Sequence, residues 1–215
     1  MNQRFFFGIL FLCGVCICEA GAFASDKQQA LLFLKKVLNK YQVQSIHFKL
    51  EKELFLPSLE EIIKEKGDFY IQKKNFRFQM NGSPSYLMIF DGNQLWYQPD
   101  TKEKIVFKLK DHPQIYFLFD LFDPQGFLQS FSIEKFSKKH ASSYAFHLRP
   151  IKPIEDLEEV FIEVEKYIKE IKVTWKDLGQ WQKYRFLNPW VKKSFPSSRF
   201  QFSSKNFEIL EKESF

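Results

Sequence analysis

Hydrophobic and polar residues alternate along most of this chain, which is the pattern of strands with one buried face. The clearest example is residues 76–80, where Phe76, Phe78 and Met80 alternate with Arg77 and Gln79. The alternation predicts that the first three side chains share one face and that the other two face solvent. Similar runs, separated by turn residues, predict further strands at 46–50, 62–72, 86–90, 95–97, 105–107, 131–133, 144–148, 160–164, 171–175, 181–187 and 200–202.

Two segments have a helical pattern instead. Asp26 can cap a helix that extends to about Tyr41, with its apolar side chains on one side. Residues 113–124 are almost continuously apolar, interrupted by Asp120, and we expect a helix that ends at the sequence Asp123-Pro124-Gln125-Gly126. A buried strand is the alternative for this segment. Many antiparallel strands with two helices predict a single α+β domain.

The N-terminus has the organisation of a secretory signal peptide. Arg4 precedes an apolar run over residues 5–17, and Ala22-Phe23-Ala24 supplies the small residues that a signal peptidase requires. We expect cleavage between Ala24 and Ser25, which would leave residues 25–215 as a mature periplasmic domain. The run is shorter than the roughly 20 residues of a membrane-spanning helix. All three cysteines precede the cleavage site and none follows a small residue, so we expect neither a disulfide nor a lipid-modified N-terminus.

The abundance of aromatic residues indicates what the apolar face of the predicted strands could bind. Phenylalanine accounts for 27 of 215 residues, yet the mean hydropathy is −0.32, so the rings are interleaved with charged residues. In strands such residues form a continuous apolar face, which is a core by default but is also what a lipid-binding cavity requires. The net charge of +6 comes from scattered lysines. We therefore predict a solvated surface and no nucleic-acid partner.

The sequence has no motif of a known catalytic or metal site. Its four histidines are His47, His112, His140 and His147, and none is paired at metal-ligand spacing. No nucleophile elbow, phosphate loop or dinucleotide fingerprint is present. A pair of carboxylates assembled in space stays possible. We expect a protein that is not an enzyme and that needs no cofactor or metal.

Several segments resemble the outer-membrane lipoprotein carrier proteins, which are periplasmic chaperones of lipoprotein sorting. The first three are Gly67-Asp68-Phe69-Tyr70-Ile71, the strand Phe76-Arg77-Phe78 and the hairpin Asp91-Gly92-Asn93-Gln94-Leu95-Trp96-Tyr97-Gln98-Pro99. A late hairpin over 171–186 and a final strand over 200–202 are also similar. In order and spacing the resemblance extends over nearly the whole mature chain.

The resemblance implies an unclosed, strongly curved antiparallel β-barrel, with an N-terminal helix and a lid helix that cover a hydrophobic concave face. Such a monomeric carrier would accept acylated lipoproteins from an inner-membrane transporter and pass them to an outer-membrane acceptor. The residues expected to line the acyl cavity are Phe48, Leu50, Phe69, Ile71, Phe76, Phe78, Met80, Met88, Phe90, Trp96 and Phe146. Those expected on the lid are Phe117, Leu118, Phe119, Leu121 and Phe122.

One position departs from the family pattern. The family has Arg-Pro before the Phe-Arg-Phe strand, and this arginine is implicated in fastening the lid. Lys73 is the nearest equivalent here, and lysine lacks the planar fork of arginine. A shuttle for another lipid or acyl product, or a sensing and interaction domain on the same fold, therefore stands as an alternative to the lipoprotein carrier.

Overall fold

The computed structural model describes residues 26–103, 105–109, 120–154, 156–176, 179–203 and 207–212. The chain divides into two compact units, residues 1–36 and residues 37–215, and the second unit holds every described strand. Helix α1 comprises residues 26–43 and confirms the predicted N-terminal helix. None of the described helices is long and apolar enough to cross a membrane.

A single sheet contains the twelve strands of the described residues. They are β1 (Ser45–Leu56), β2 (Glu61–Gln72), β3 (Asn75–Met80), β4 (Tyr86–Phe90), β5 (Leu95–Gln98), β6 (Ile105–Leu109), β7 (Phe131–His140), β8 (Ser143–Pro150), β9 (Leu157–Val164), β10 (Ile168–Trp175), β11 (Trp181–Lys192) and β12 (Glu208–Lys212). Their order is β12-β6-β5-β4-β3-β2-β1-β11-β10-β9-β8-β7. β12 runs parallel to β6, whereas the other pairs of neighbouring strands are antiparallel. The edge strands β12 and β7 do not pair, so the sheet is unclosed, as predicted.

The longest hairpin lies at the middle of the sheet. β1 pairs with β2 along its whole length, from Ser45 opposite Gln72 to Leu56 opposite Glu61. Pro57, which cannot donate a backbone hydrogen bond, ends β1 and begins a short 3-10 turn. Further along β2, Gly67 lies so close to β3 that a Cβ atom there would be 2.1 Å from the carbonyl oxygen of Gln79. Only glycine permits this approach of the two strands.

The Asp91-Gly92 turn connects β4 and β5 and confirms the hairpin predicted there. The Asp91 Oδ1 atom accepts hydrogen bonds from the backbone N–H groups of Asn93 and Gln94, at 3.0 and 2.8 Å. Gly92 has a φ of +97°, which glycine adopts without strain. Side-chain and backbone chemistry thus favour the same turn.

The second described helix, α2 (Pro124–Ser130), corrects one prediction. We expected the Asp123-Pro124-Gln125-Gly126 sequence to end a helix, but Asp123 and Pro124 begin α2 and Gly126 lies within it. Asp123 is the N-cap and accepts a hydrogen bond from the backbone N–H of Gly126 at 2.9 Å, and proline occupies the first turn, where its missing N–H has no cost. Residues 113–119 of the predicted lid helix, which include Phe117, Leu118 and Phe119, lie outside the described residues.

The prediction of a strand over residues 200–202 is wrong. Ser197–Phe200 is a 3-10 turn that follows Pro196, and residues 201–203 have no regular structure. The rings in this segment pack against the sheet instead of alternating along a strand. Phe200 is buried beside Phe195, and Phe202 stacks on Trp96 with ring centroids 5.5 Å apart.

Candidate ligand-binding site

One row of large side chains crosses six neighbouring strands. Strand pairing places Phe48, Phe69, Phe78, Met88, Tyr97 and Phe107 opposite one another in succession, from β1 to β6. We call these six residues the aromatic row. Phe48 and Phe69 are buried, whereas the four members on β3 to β6 are partly exposed. The row therefore continues from the core onto accessible surface.

Two further rows flank the aromatic row on the same side of the sheet. One consists of Ile46, Ile71, Phe76, Phe90, Leu95 and Leu109, and the other of Leu50, Gly67, Met80 and Tyr86. Phe186 and Tyr184 on β11 extend this side beyond β1. We call the whole surface the aromatic face.

The sheet curves toward the aromatic face. Phe69 on β2 and Phe186 on β11 are separated by β1, and two strand spacings would place them about 10 Å apart in a flat sheet. Their ring centroids are 5.4 Å apart. The aromatic face is therefore the concave side, as expected for a half-barrel.

Most of the residues predicted to line a cavity lie on the aromatic face. These are Phe48, Leu50, Phe69, Ile71, Phe76, Phe78, Met80, Met88 and Phe90, with Phe146 joined to them through Ile162, Ile171 and Tyr184. Trp96 is not among them, since it lies between Leu95 and Tyr97 and projects from the opposite face. There it is paired with Ile89 and stacks on Phe202. Binding of a ligand by this set stays a prediction.

Phe122 covers the aromatic face where β1, β2 and β11 meet. Its ring centroid lies 5.3 Å from that of Phe69, 5.8 Å from that of Phe186 and 5.0 Å from that of Tyr41. The Tyr41 hydroxyl accepts a hydrogen bond from the backbone N–H of Ile168 at 2.9 Å, and burial raises the pKa of this tyrosine. Of the predicted lid residues, Leu121 and Phe122 are thus buried side chains of the described chain.

Hydrogen bonds from the end of α1 to Phe122 and to its neighbour Asp123 hold the Phe122 ring in this position. Gln42 Nε2 lies 3.2 Å from Asp123 Oδ1 and 3.4 Å from the carbonyl oxygen of Phe122, and donates to both. These contacts hold Phe122 over β1 and β2. The partly exposed part of the aromatic row lies on β3 to β6.

A polar cluster interrupts the aromatic face at one end. Lys52 Nζ lies 2.9 Å from Glu65 Oε2 and donates a hydrogen bond to the Tyr86 hydroxyl at 3.0 Å. Beside them, the Tyr184 hydroxyl donates to Gln182 Oε1 at 2.5 Å. Burial, reinforced by the negative charge of Glu65, raises the pKa of Tyr86 well above its ordinary value. We call these five residues the polar end.

Sequence reasoning missed the polar end because its charged members lie in segments that resemble solvated surface. Lys52 is flanked by Glu51 and Glu53, and Glu65 by Lys64 and Lys66. The signal that identifies the pair is spacing. Lys52 follows Leu50 by two residues, Glu65 precedes Gly67 by two, and both therefore share the face of those neighbours.

Two other predicted positions lie away from the aromatic face. Lys73 is exposed in the turn between β2 and β3, with a φ of +56°, and within the described ranges no carboxylate pairs with it. Its role as a latch stays a prediction. Arg77, predicted to face solvent, is instead half-buried under the C-terminal segment, next to Pro196 and Arg199. Over the same described ranges, no group of three potential metal ligands converges.

An unclosed, curved sheet with an aromatic concave face is the expected architecture of a carrier. The sequence profile of the family described as outer membrane lipoprotein carrier protein LolA matches residues 27–203. The chain belongs to this family. The resemblance inferred from short motifs is thereby confirmed for the LolA family over most of the sequence. No curated protein matches the chain.

The structure is similar to several solved structures at low sequence identity. An uncharacterized conserved protein from Thermus thermophilus has a TM-score of 0.53 and 6% identity, covering 86% of this chain and 99% of its own. A LolA superfamily protein from Nitrosomonas europaea has a TM-score of 0.46 and 9% identity, covering 81% and 97%. A putative outer membrane lipoprotein-sorting protein domain from Vibrio parahaemolyticus has a TM-score of 0.43 and 7% identity, covering 78% and 94%. At such identities the likeness concerns the fold alone.

Proposed function

We propose that this protein is a periplasmic carrier that binds the acyl chains of lipoproteins on its aromatic face and carries them from the inner to the outer membrane. The observation that carries the proposal is the aromatic row, which is buried at Phe48 and Phe69 and partly exposed from Phe78 to Phe107. A row that is continuous with the core, concave and accessible can receive an apolar ligand without rebuilding the fold.

The energetics of lipid transfer require such a surface. Each methylene group removed from water contributes about 0.8 kcal/mol, so an exposed chain of about 16 carbons costs roughly 12 kcal/mol. The partly exposed part of the aromatic row, from Phe78 to Phe107, extends over three strand spacings, or about 14 Å. Since a bilayer core is about 30 Å thick, one acyl chain reaches about 15 Å, which is close to the length of the partly exposed part of the row.

The polar end gives the proposed ligand an orientation. A lipoprotein has acyl chains joined to a polar backbone, and only the chains gain by burial. Lys52, Glu65 and Tyr86 offer hydrogen-bonding groups at one end of the aromatic face, next to Leu50 and Met80. We therefore place the acyl chains along the aromatic row and the polar part of the ligand toward this cluster.

Membership of the carrier family supports the remaining parts of the proposal. The protein is exported, is cleaved between Ala24 and Ser25, and acts as an unacylated monomer in the periplasm. It accepts its cargo from an inner-membrane lipoprotein-releasing transporter and delivers it to an outer-membrane acceptor. Lys73 takes the place of the arginine that fastens the lid in the family, and its single ammonium group makes a weaker latch than a guanidinium fork.

Mass spectrometry of the protein isolated from the periplasm of its native host tests this proposal. We expect acylated peptides to copurify with the chain, and the intact mass to correspond to a mature form that begins at Ser25. Free lipids without peptides would favour the alternative of a shuttle for another acyl product. A chain that carries no lipid of either kind would contradict the carrier and favour a sensing or interaction domain.

A further inference from the structure

A small cleft lies on the face of the sheet opposite the aromatic face. Its walls are Arg77, Pro196, Ser198 and Arg199, and its volume is about 240 Å³. Arg77 projects into this region because it lies between Phe76 and Phe78 on β3, whose side chains occupy the aromatic face. The other three residues belong to the C-terminal segment that packs on this side.

The Arg77 guanidinium is incompletely paired. Its Nη2 atom donates to Gln79 Oε1 at 3.1 Å, whereas its buried Nε–H has no hydrogen-bond partner. Burial and then the positive charge of Arg199 lower the pKa of Arg77. A buried donor without a partner destabilises a fold, so its presence in the native structure requires a physical explanation.

The second guanidinium, Arg199, is held by an aromatic ring. Its Cζ atom lies 4.5 Å from the centroid of the Tyr70 ring, which is itself stacked on His47 and in contact with Phe195. This contact places a second positive charge near Arg77 without the help of a carboxylate.

The other two arginines of the described chain are paired differently. Arg149 forms an ion pair with Glu134 at 2.7 Å, and Arg185 forms one with Glu170 at 3.2 Å. Within the described ranges neither Arg77 nor Arg199 has a carboxylate within ion-pair distance. Two like charges are thus brought together at a cleft, and none of the described carboxylates forms an ion pair with either of them.

We propose that this cleft binds an oxyanion of the phosphate class. A bound phosphate would accept hydrogen bonds from the guanidinium groups of Arg77 and Arg199 that line the cleft, offset the repulsion between them and accept a hydrogen bond from the Ser198 hydroxyl. Arginine suits this role because its planar fork matches phosphate oxygens in a bidentate arrangement. The volume is below the roughly 300–1,000 Å³ of sites that enclose a drug-sized ligand, so the cleft accommodates a charged group and not the body of a large molecule.

The site is separate from the proposed acyl-binding surface, because it lies on the other side of the sheet. Its phosphate has two possible sources, which share this chemistry: a soluble phosphate, or the headgroup of a phospholipid at a membrane surface. Pro196 and Ser198 are exposed, so the cleft is open to either.

Titration of the mature protein with inorganic phosphate at constant ionic strength tests the proposal. Because phosphate strengthens apolar burial in any protein, the specific effect must be saturable. We expect a saturable increase in melting temperature for the wild type, and an affinity weakened about tenfold or more in Arg199→Gln. Arg149→Gln removes the same charge from a paired arginine and should leave the phosphate affinity within about twofold of the wild type.

Two further measurements complete the test. Without phosphate, Arg199→Gln should melt close to the wild type, because the relief of the repulsion offsets the lost contact with the Tyr70 ring. Should Arg199→Gln fail to fold, Arg77→Lys, which keeps the charge but loses the planar fork, should weaken phosphate binding instead. Co-sedimentation with phosphatidylglycerol vesicles identifies the source: Arg199-dependent sedimentation indicates a headgroup, and phosphate binding without sedimentation indicates a soluble ion. A wild type with no saturable response to phosphate, or an Arg199→Gln variant with an unchanged response, would overturn the proposal.

Discussion

Phe78 and Tyr184 contact each other edge to face, with ring centroids 5.9 Å apart, although β2 and β1 lie between their strands. Three strand spacings would separate them by about 14 Å in a flat sheet. The contact therefore measures how strongly the sheet curves around the aromatic face. It also joins a partly exposed member of the aromatic row to a buried tyrosine of the polar end.

Stability should fall when one partner of the ion pair between Lys52 and Glu65 in the polar end is removed, and much less when both are removed. The side chains of Lys52 and Glu65 are 13% and 18% exposed. Lys52→Met would leave the carboxylate of Glu65 on an apolar surface without its cation, and we expect the free energy of unfolding to fall by about 3 kcal/mol. Lys52→Met combined with Glu65→Leu should recover most of this loss, because both charges are then gone.

Denaturant unfolding measures these differences, and Lys64→Met is the matched control. Lys64 is 72% exposed and lies 3.8 Å from Glu53, which keeps Lys183 and Arg185 as partners, so the loss of Lys64 should cost less than about 1 kcal/mol. Equal losses for Lys52→Met and Lys64→Met would show that the polar end is ordinary solvated surface.

Gly67→Ala should be one of the most damaging small substitutions in the sheet. The added methyl group would meet the backbone oxygen of Gln79 at 2.1 Å and Met80 Sδ at 2.8 Å, so β2 and β3 must move apart. We expect a loss of about 3 kcal/mol or more, measured by thermal or denaturant unfolding.

Gly82→Ala provides the comparison for this prediction. The nearest atom to its added methyl would be Glu65 Oε1 at 3.1 Å, on a side chain that can shift, so we expect a loss below about 1 kcal/mol. Similar stabilities of the two variants would contradict the close approach of β2 to β3.

Asp68 should make stability depend on pH in the acid range. Burial raises the pKa of its carboxyl group, but the hydrogen bonds with Lys49 at 2.7 Å and His47 at 2.6 Å outweigh burial, and the net pKa is lowered. A lowered folded-state pKa gives stability that is present above the unfolded value of about 4 and is lost as the pH falls through the folded value. Wild type should therefore exceed Asp68→Asn in unfolding free energy at about pH 5, with the difference shrinking toward about pH 2. A difference that does not change over this range would count against the pairing.

The Asp123 cap should stabilise the start of α2. Asp123→Ala removes the acceptor of the Gly126 N–H and of Gln42, and we expect a loss of about 1 kcal/mol together with faster hydrogen exchange at Gly126. Asp123→Asn keeps an acceptor oxygen and should retain most of the protection. Unchanged exchange at Gly126 in Asp123→Ala would contradict the cap.

The sequence predicted those features that depend on side-chain spacing. Alternation placed Phe76, Phe78 and Met80 on one face, and Asp91-Gly92 identified the hairpin between β4 and β5. Both signals are local, because strand period and positive φ act within a few residues. Family resemblance then supplied the unclosed sheet, which local patterns do not encode.

Features that depend on distant partners were predicted wrongly or missed. Trp96 has the aromatic character expected of a lining residue, but its register puts it on the other face against Phe202. The ion pair of Lys52 and Glu65 requires the alignment of β1 with β2. Arg77 was expected to face solvent because the residues around it in the sequence do not predict its contact with Pro196 and Arg199. For the ion pair and for Arg77 the packing of a remote segment decides the environment, whereas the face of Trp96 follows from its position between Leu95 and Tyr97.

The most direct test of the proposed function compares Phe78→Glu with Phe161→Glu. Both phenylalanines are partly exposed strand residues, but Phe78 belongs to the aromatic row, whereas Phe161 lies opposite His147 and Lys172 on the other face. The measurement pairs a thermal melt with titration of a fluorescent fatty-acyl probe, for the wild type and for each variant. We predict that both variants melt cooperatively, that Phe78→Glu weakens probe binding by about tenfold or more, and that Phe161→Glu binds as the wild type does. A folded Phe78→Glu variant with unchanged probe affinity, or a collapsed melt showing that Phe78 belongs to a closed core, would contradict the account.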